Sequence, residues 1–188
     1  MNPLSPHTIV VSPIGDVKTG HMTQVRQGIS QAFGCPTEIL PVLEDISFAF
    51  DAGRNQYCST VILEALERAM PENTVKVLAI TGEDLYIPIL TYVYGEAQLA
   101  GKTCIVSTYR LREDLSPLNS TDTLAARITK EAVHELGHTF NLRHCKDPVC
   151  TMHYCRSIKD VDRKSHELCR YCRVLLSDEL KKLSVETR

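Results

Sequence analysis

Eleven consecutive residues constrain this 188-residue chain more than any other feature: His134-Glu135-Leu136-Gly137-His138-Thr139-Phe140-Asn141-Leu142-Arg143-His144. On an α-helix, residues four apart lie about 6 Å apart along the axis and nearly in line, so His134 and His138 can face one point. Glu135 borders the same face. His144, six residues past His138, cannot join them on a continuing helix. The chain must therefore leave the helix and double back. Asn141 suits that break, because asparagine is the non-glycine residue that most readily accepts the left-handed conformation ending helices. The sequence thus requires a long helix, expected over about 123–141, that stops abruptly beside a cluster of imidazoles.

Three neutral imidazoles leave a doubly charged ion with an open fourth position, the arrangement that brings the pKa of bound water to about 7. Glu135, adjacent to the ligands but not one of them, can then take a proton from that water. The pattern points to a metal ion held by His134, His138 and His144, with Glu135 as general base toward its bound water.

Upstream, apolar runs alternate with helical patterns. Thr8 to Ser12 and Val75 to Ile80 read as buried strands, and Thr37 to Leu40 as a short one. Between them, Val25, Ile29 and Phe33 mark one face of a helix that Gly34 stops, and Ile62, Leu66 and Met70 mark a second that Pro71 ends. Strand-helix alternation implies parallel pairing with helices on both sheet faces. Thr91 to Leu99 and Lys102 to Ser107 are separated only by Ala100-Gly101, too short for a parallel crossover, so one strand must run antiparallel. The expected class is α/β: a mostly parallel twisted sheet with one antiparallel edge. Residues 1–142 form the first unit, and 143–188 a Cys-rich subdomain, irregular from Arg143 to about His166 and ending in a helix from Leu175 to Leu183.

Charge excludes some functions. With 21 Lys plus Arg against 23 Asp plus Glu, the net charge of −2 argues against a general nucleic-acid binder. The most apolar uncharged stretch, Leu85 to Gly95, is too short to cross a bilayer, and Met1 to His7 lack an export pattern. A soluble, cytoplasmic monomer acting on peptides or proteins is expected, with no nucleic-acid or membrane partner. The first strand begins so early that no inhibitory propeptide is expected.

Five of the eight cysteines lie between 145 and 172. Cys145 and Cys150, then Cys169 and Cys172, have paired spacings that suit a closed tetrahedral zinc site; two disulfides are the alternative reading. His144 and Cys145 are consecutive, so an extended backbone turns one toward each metal, and losing the thiolate-bound ion should loosen His144. Cys58, Cys155, His153 and His166 are bystanders to both ligand sets, and Cys35 and Cys104 read as buried thiols.

The segment from His134 to His144 resembles the metzincin signature, with Asn141 in place of its glycine. His144-Cys145, Cys150-Thr151-Met152 and Cys169-Arg170-Tyr171-Cys172 extend the resemblance to the archaemetzincins. The resemblance implies a zinc metalloprotease with Met152 as the Met-turn floor under the histidines and Tyr154 as a transition-state stabiliser near the ion. It also implies that the edge at Thr91 to Gln98 pairs with an extended substrate. The opposing reading is an inactive zinc-stabilised module that only binds peptide or protein. Glu83, Asp84 and Glu96 are acidic groups available to anchor a substrate amino terminus, none favoured by spacing.

Overall fold

Alternating burial along the strands decides how the sheet is covered. In β1 (Thr8–Ile14) and β5 (Thr74–Thr81), Ile9, Val11, Leu78 and Ile80 turn to one face, and Val10, Ile14, Val77 and Ala79 to the other. Both faces therefore need a helical layer. The first is covered by α1 (Thr19–Phe33) and α3 (Ser120–Thr139), the second by α2 (Ser59–Arg68). The computed structural model describes residues 7–115 and 120–186.

The main sheet runs β2-β1-β5-β8-β7, where β2 is Thr37–Ile39, β7 is Gly95–Ala97 and β8 is Thr103–Ser107. Its first four strands are parallel, and β7 alone is antiparallel, pairing Gly95 with Val106 and Ala97 with Cys104. The expected α/β architecture is the observed one. Helix α1 ends where Gly34 takes φ of 65° and donates its N–H to Ser30.

Four local expectations change. The edge strand is three residues long, because Thr91 to Val93 are held elsewhere: Gln56 Nε2 donates to the Thr91 carbonyl, and the Val93 N–H to Leu85. A second sheet, β3 (Phe50–Asp51), β4 (Gln56–Cys58) and β6 (Leu85–Tyr86), lies within residues expected as loop and apolar run. The stretch after Arg143 contains a helix, α4 (Ile158–Arg163), started by a capping box of Ser157 and Asp160. The final helix, α5 (Arg170–Glu186), begins five residues earlier than expected, immediately after Cys169. Among the described residues no helix is long and apolar enough to cross a membrane.

Candidate metal centre

Helix α3 lies against the sheet, and its end builds the site. The N–H of Leu142 donates to Gly137 and that of Asn141 to His138, while Asn141 takes φ of 62°. These two bonds are a Schellman closure with asparagine in the left-handed position. The chain then reverses and returns His144 to the helix face carrying His134 and His138. The three rings stand with centroids 4.7, 4.8 and 5.3 Å apart, and one nitrogen from each lies within 4.8 Å of the others.

The hydrogen bonds fix which nitrogens are free. His134 Nδ1 lies 2.8 Å from the Thr151 carbonyl and His138 Nδ1 lies 2.7 Å from that of Leu142. A carbonyl only accepts, so both Nδ1 atoms carry hydrogen, and both Nε2 atoms present lone pairs. Those two Nε2 atoms face each other at 3.1 Å. Neither can donate to the other, so the pair repels unless a cation shares it; the ring orientation therefore fits a metal ion. Burial pushes all three imidazoles below their ordinary range, His144 to about 4, which keeps them neutral as ligands at pH 7.

Glu135 is buried beside this cluster. Burial, then the neighbouring Glu131, pushes its carboxyl well above its usual range, with Lys164 acting in the opposite sense. It lies against Gly95 of the edge strand: a Cβ there would come within 2.7 Å of Glu135 Cγ and 2.7 Å of the Ile105 carbonyl. Glycine at 95 thus leaves the space that the carboxylate occupies. Gly137 does the same for Met152, whose thioether fills the position a Cβ would take between the two helical histidines. Met152 is fully buried. Tyr154, half exposed, sets its ring 5.0 Å from that of His144.

The four cysteines Cys145, Cys150, Cys169 and Cys172 converge with their sulfurs within 4.8 Å of one another. None of the eight cysteines is joined to another, and the Cys145 and Cys169 sulfurs stand 3.8 Å apart. A hydrogen bond from the Cys172 backbone N–H holds the Cys169 thiol below its usual range, while burial pushes Cys150 and Cys172 up. Cys104 is fully buried and Cys35 partly so. His153 accepts no place in either cluster; its Nδ1 donates to the Cys145 carbonyl at 3.0 Å. Asp84 and Glu96 are committed elsewhere, the first to Arg110 and Gln56, the second to Ser59 and Thr60.

One pair went unseen in the sequence. Lys164, fully buried, lies 2.7 Å from Glu131, one helical turn before Glu135. Nothing in local spacing connects residues 33 positions apart. A cavity of about 350 Å³ opens over the histidines, lined also by Ile87, Leu90, Thr91 to Gly95, Tyr154, Cys155 and Arg156.

The family model for peptidase family M54 matches residues 10–178. The chain belongs to peptidase family M54. Among relatives of this M54 chain, the archaemetzincin of Methanocaldococcus jannaschii is 37% identical over 171 residues, covering 90% of this chain and 93% of the relative. The archaemetzincin of Methanopyrus kandleri is 42% identical over 134 residues, covering 71% and 73%. The crystal structure of archaemetzincin from Methanopyrus kandleri superposes with a TM-score of 0.83 at 33% identity, covering 96% of this chain and 99% of that one. A zinc-dependent peptidase from Methanocorpusculum labreanum gives 0.79 at 28% identity, covering 89% and 99%. This M54 member is a zinc-dependent peptidase acting on peptides or proteins.

Proposed function

We propose that His134, His138 and His144 hold a catalytic zinc, that Cys145, Cys150, Cys169 and Cys172 hold a structural one, and that Glu135 is the general acid and base. The observation carrying this reading is the pair of hydrogen-free Nε2 atoms aimed at each other at 3.1 Å, with Nδ1 of both rings committed to carbonyls. Zinc at the imidazoles would supply Lewis acidity toward water and toward the scissile carbonyl. Glu135 takes a proton from the attacking water and delivers it to the leaving amine. Its burial and elevated pKa suit a carboxyl that must hold a proton between those two steps. The free edge of β7 supplies backbone groups to align an extended peptide, and the Gly95 gap brings that edge against the carboxylate. Tyr154, whose ring stands 5.0 Å from that of His144, donates to the developing oxyanion, and Met152, fully buried, serves as the apolar floor. Residues 143–188 act as a zinc-stapled subdomain that supports His144.

Metal analysis tests the ligand sets: two zinc ions per wild-type chain, falling to one in His138→Ala and to one in Cys169→Ser. Glu135→Gln should keep both ions and lose about 100- to 10,000-fold in turnover. Undiminished hydrolysis by that variant, measured on a fluorogenic peptide, would refute the role, whereas peptide binding without any hydrolysis by the zinc-loaded wild type would favour the binding-module reading.

A further inference from the structure

The catalytic cavity is walled asymmetrically. The stretch from Ile87 to Gly95 has no charged side chain of its own; Arg54 donates to the Leu90 carbonyl, and Arg110, paired with Asp84, lies over the Tyr92 ring. The carboxylate of Glu131, also in the lining, is matched by Lys164 at 2.7 Å. The lining includes one arginine, the exposed Arg156. Its backbone is fixed: the Arg156 N–H donates to Asp160 Oδ2 at 3.0 Å as part of the capping arrangement that starts α4. Its guanidinium forms no ion pair or hydrogen bond with the other described residues.

Arg156 also bounds a second concavity. Past His144 the groove continues over Lys146, His153 and Asp160, with His144, Tyr154 and Arg156 shared between the two hollows. Lys146, like Arg156, is exposed and lacks an ion-pair partner among the described residues. Among the described residues the one carboxylate lining this hollow, Asp160, accepts from the Arg156 and Ser157 backbones and the Ser157 hydroxyl and makes no ion pair with Arg156 or Lys146. The groove therefore runs from a stretch without charged side chains of its own, across the histidines, to two cations with no ion-pair partner among the described residues.

We propose that Arg156, backed by Lys146, is a specificity-determining residue that binds a carboxylate of the peptide substrate on the His144 side of the cleft. A guanidinium presents parallel N–H donors matched to a carboxylate, and a held backbone with an unoccupied head group is already organised for it. An acidic side chain and the free C-terminus of a short peptide offer the same group, so the substrate class is a peptide bearing a carboxylate near the scissile bond. This inference rests on the hydrolytic centre proposed above.

The test uses zinc-loaded protein and one parent peptide in matched forms: Asp, Asn or Lys at each position flanking the scissile bond, and a free or amidated C-terminus. Cleavage by the wild type is measured as kcat/KM, and binding as Kd to the Glu135→Gln variant. Carboxylate-bearing forms should be favoured by about 10- to 100-fold in both readouts. A preference confined to Asp forms identifies the side chain as the source; one confined to free-acid forms identifies the terminus. Arg156→Gln should level the preference, and Arg156→Glu should turn it toward Lys. Equal binding of all forms, or an Arg156→Gln effect identical on every peptide, overturns the proposal. Absence of cleavage with the charge preference intact in binding would instead overturn the hydrolytic reading alone.

Discussion

The parallel sheet and the segment that follows α3 are held by different physics. In the sheet, Ile9, Val10, Val11, Leu78, Ile80 and Ile105 are fully buried, and cohesion is spread over many apolar contacts of about 1.5–3 kcal/mol per side chain. The segment after α3 buries Met152, Ile158, Val161 and Leu168 in the same core and adds to them a few directional contacts. Arg127 makes a two-pronged bond to Asp162, Lys130 reaches the Val161 and Asp162 carbonyls, Lys164 pairs with Glu131, and four thiols converge. Distributed burial degrades gradually, whereas a few strong contacts fail as units. The histidine cluster straddles the two: His134 and His138 ride on α3, but Thr151 orients His134, and His144 adjoins Cys145.

The largest break should come at the thiols. Structural zinc contributes about 10–16 kcal/mol in small zinc modules. Cys169→Ser should therefore cut hydrogen-exchange protection across residues 143–173 by about 100-fold or more while β1, β5 and β8 keep theirs. Unchanged protection in that segment would show that its apolar contacts suffice. Next is the buried pair. Lys164→Met should cost about 3–5 kcal/mol in urea unfolding because it strands Glu131 without a partner, and adding Glu131→Leu should recover most of it. A double variant as unstable as the single one would mean that Lys164 matters through packing rather than charge. The smallest effect comes from the sheet side: Gly95→Ala should leave zinc content intact and reduce kcat about 10- to 100-fold by displacing Glu135. An unchanged kcat would show that the gap is not needed.

Much of this architecture was legible because its signals are local or strongly periodic. Gly34, the strand at residues 74–81, the antiparallel edge forced by Ala100-Gly101, and the break at Asn141 each follow from short stretches of chain. Helix geometry dictates the pairing of His134 with His138, and the break at Asn141 is what lets His144 return to them. Strands of two or three residues are too short for alternation to show, so β3, β4 and β6 escaped notice. The Ser157-Ile158-Lys159-Asp160 capping box was a readable signal for α4 that the irregular composition around it obscured. The Lys164 and Glu131 pair and the free guanidinium of Arg156 depend on how the chain returns across α3, which no local pattern encodes.

Lys76 joins what look like separate parts. Its buried ammonium donates to the carbonyls of Gly101, in the β7–β8 turn, and Thr139, in the last turn of α3. The Ala100 N–H, in the same turn, donates to His138. The β7–β8 hairpin and the histidine-bearing helix are consequently cut from one template: on the proposed reading, a peptide laid along the β7 edge would inherit its height above the imidazoles from the hairpin, before any side chain of the peptide has been read.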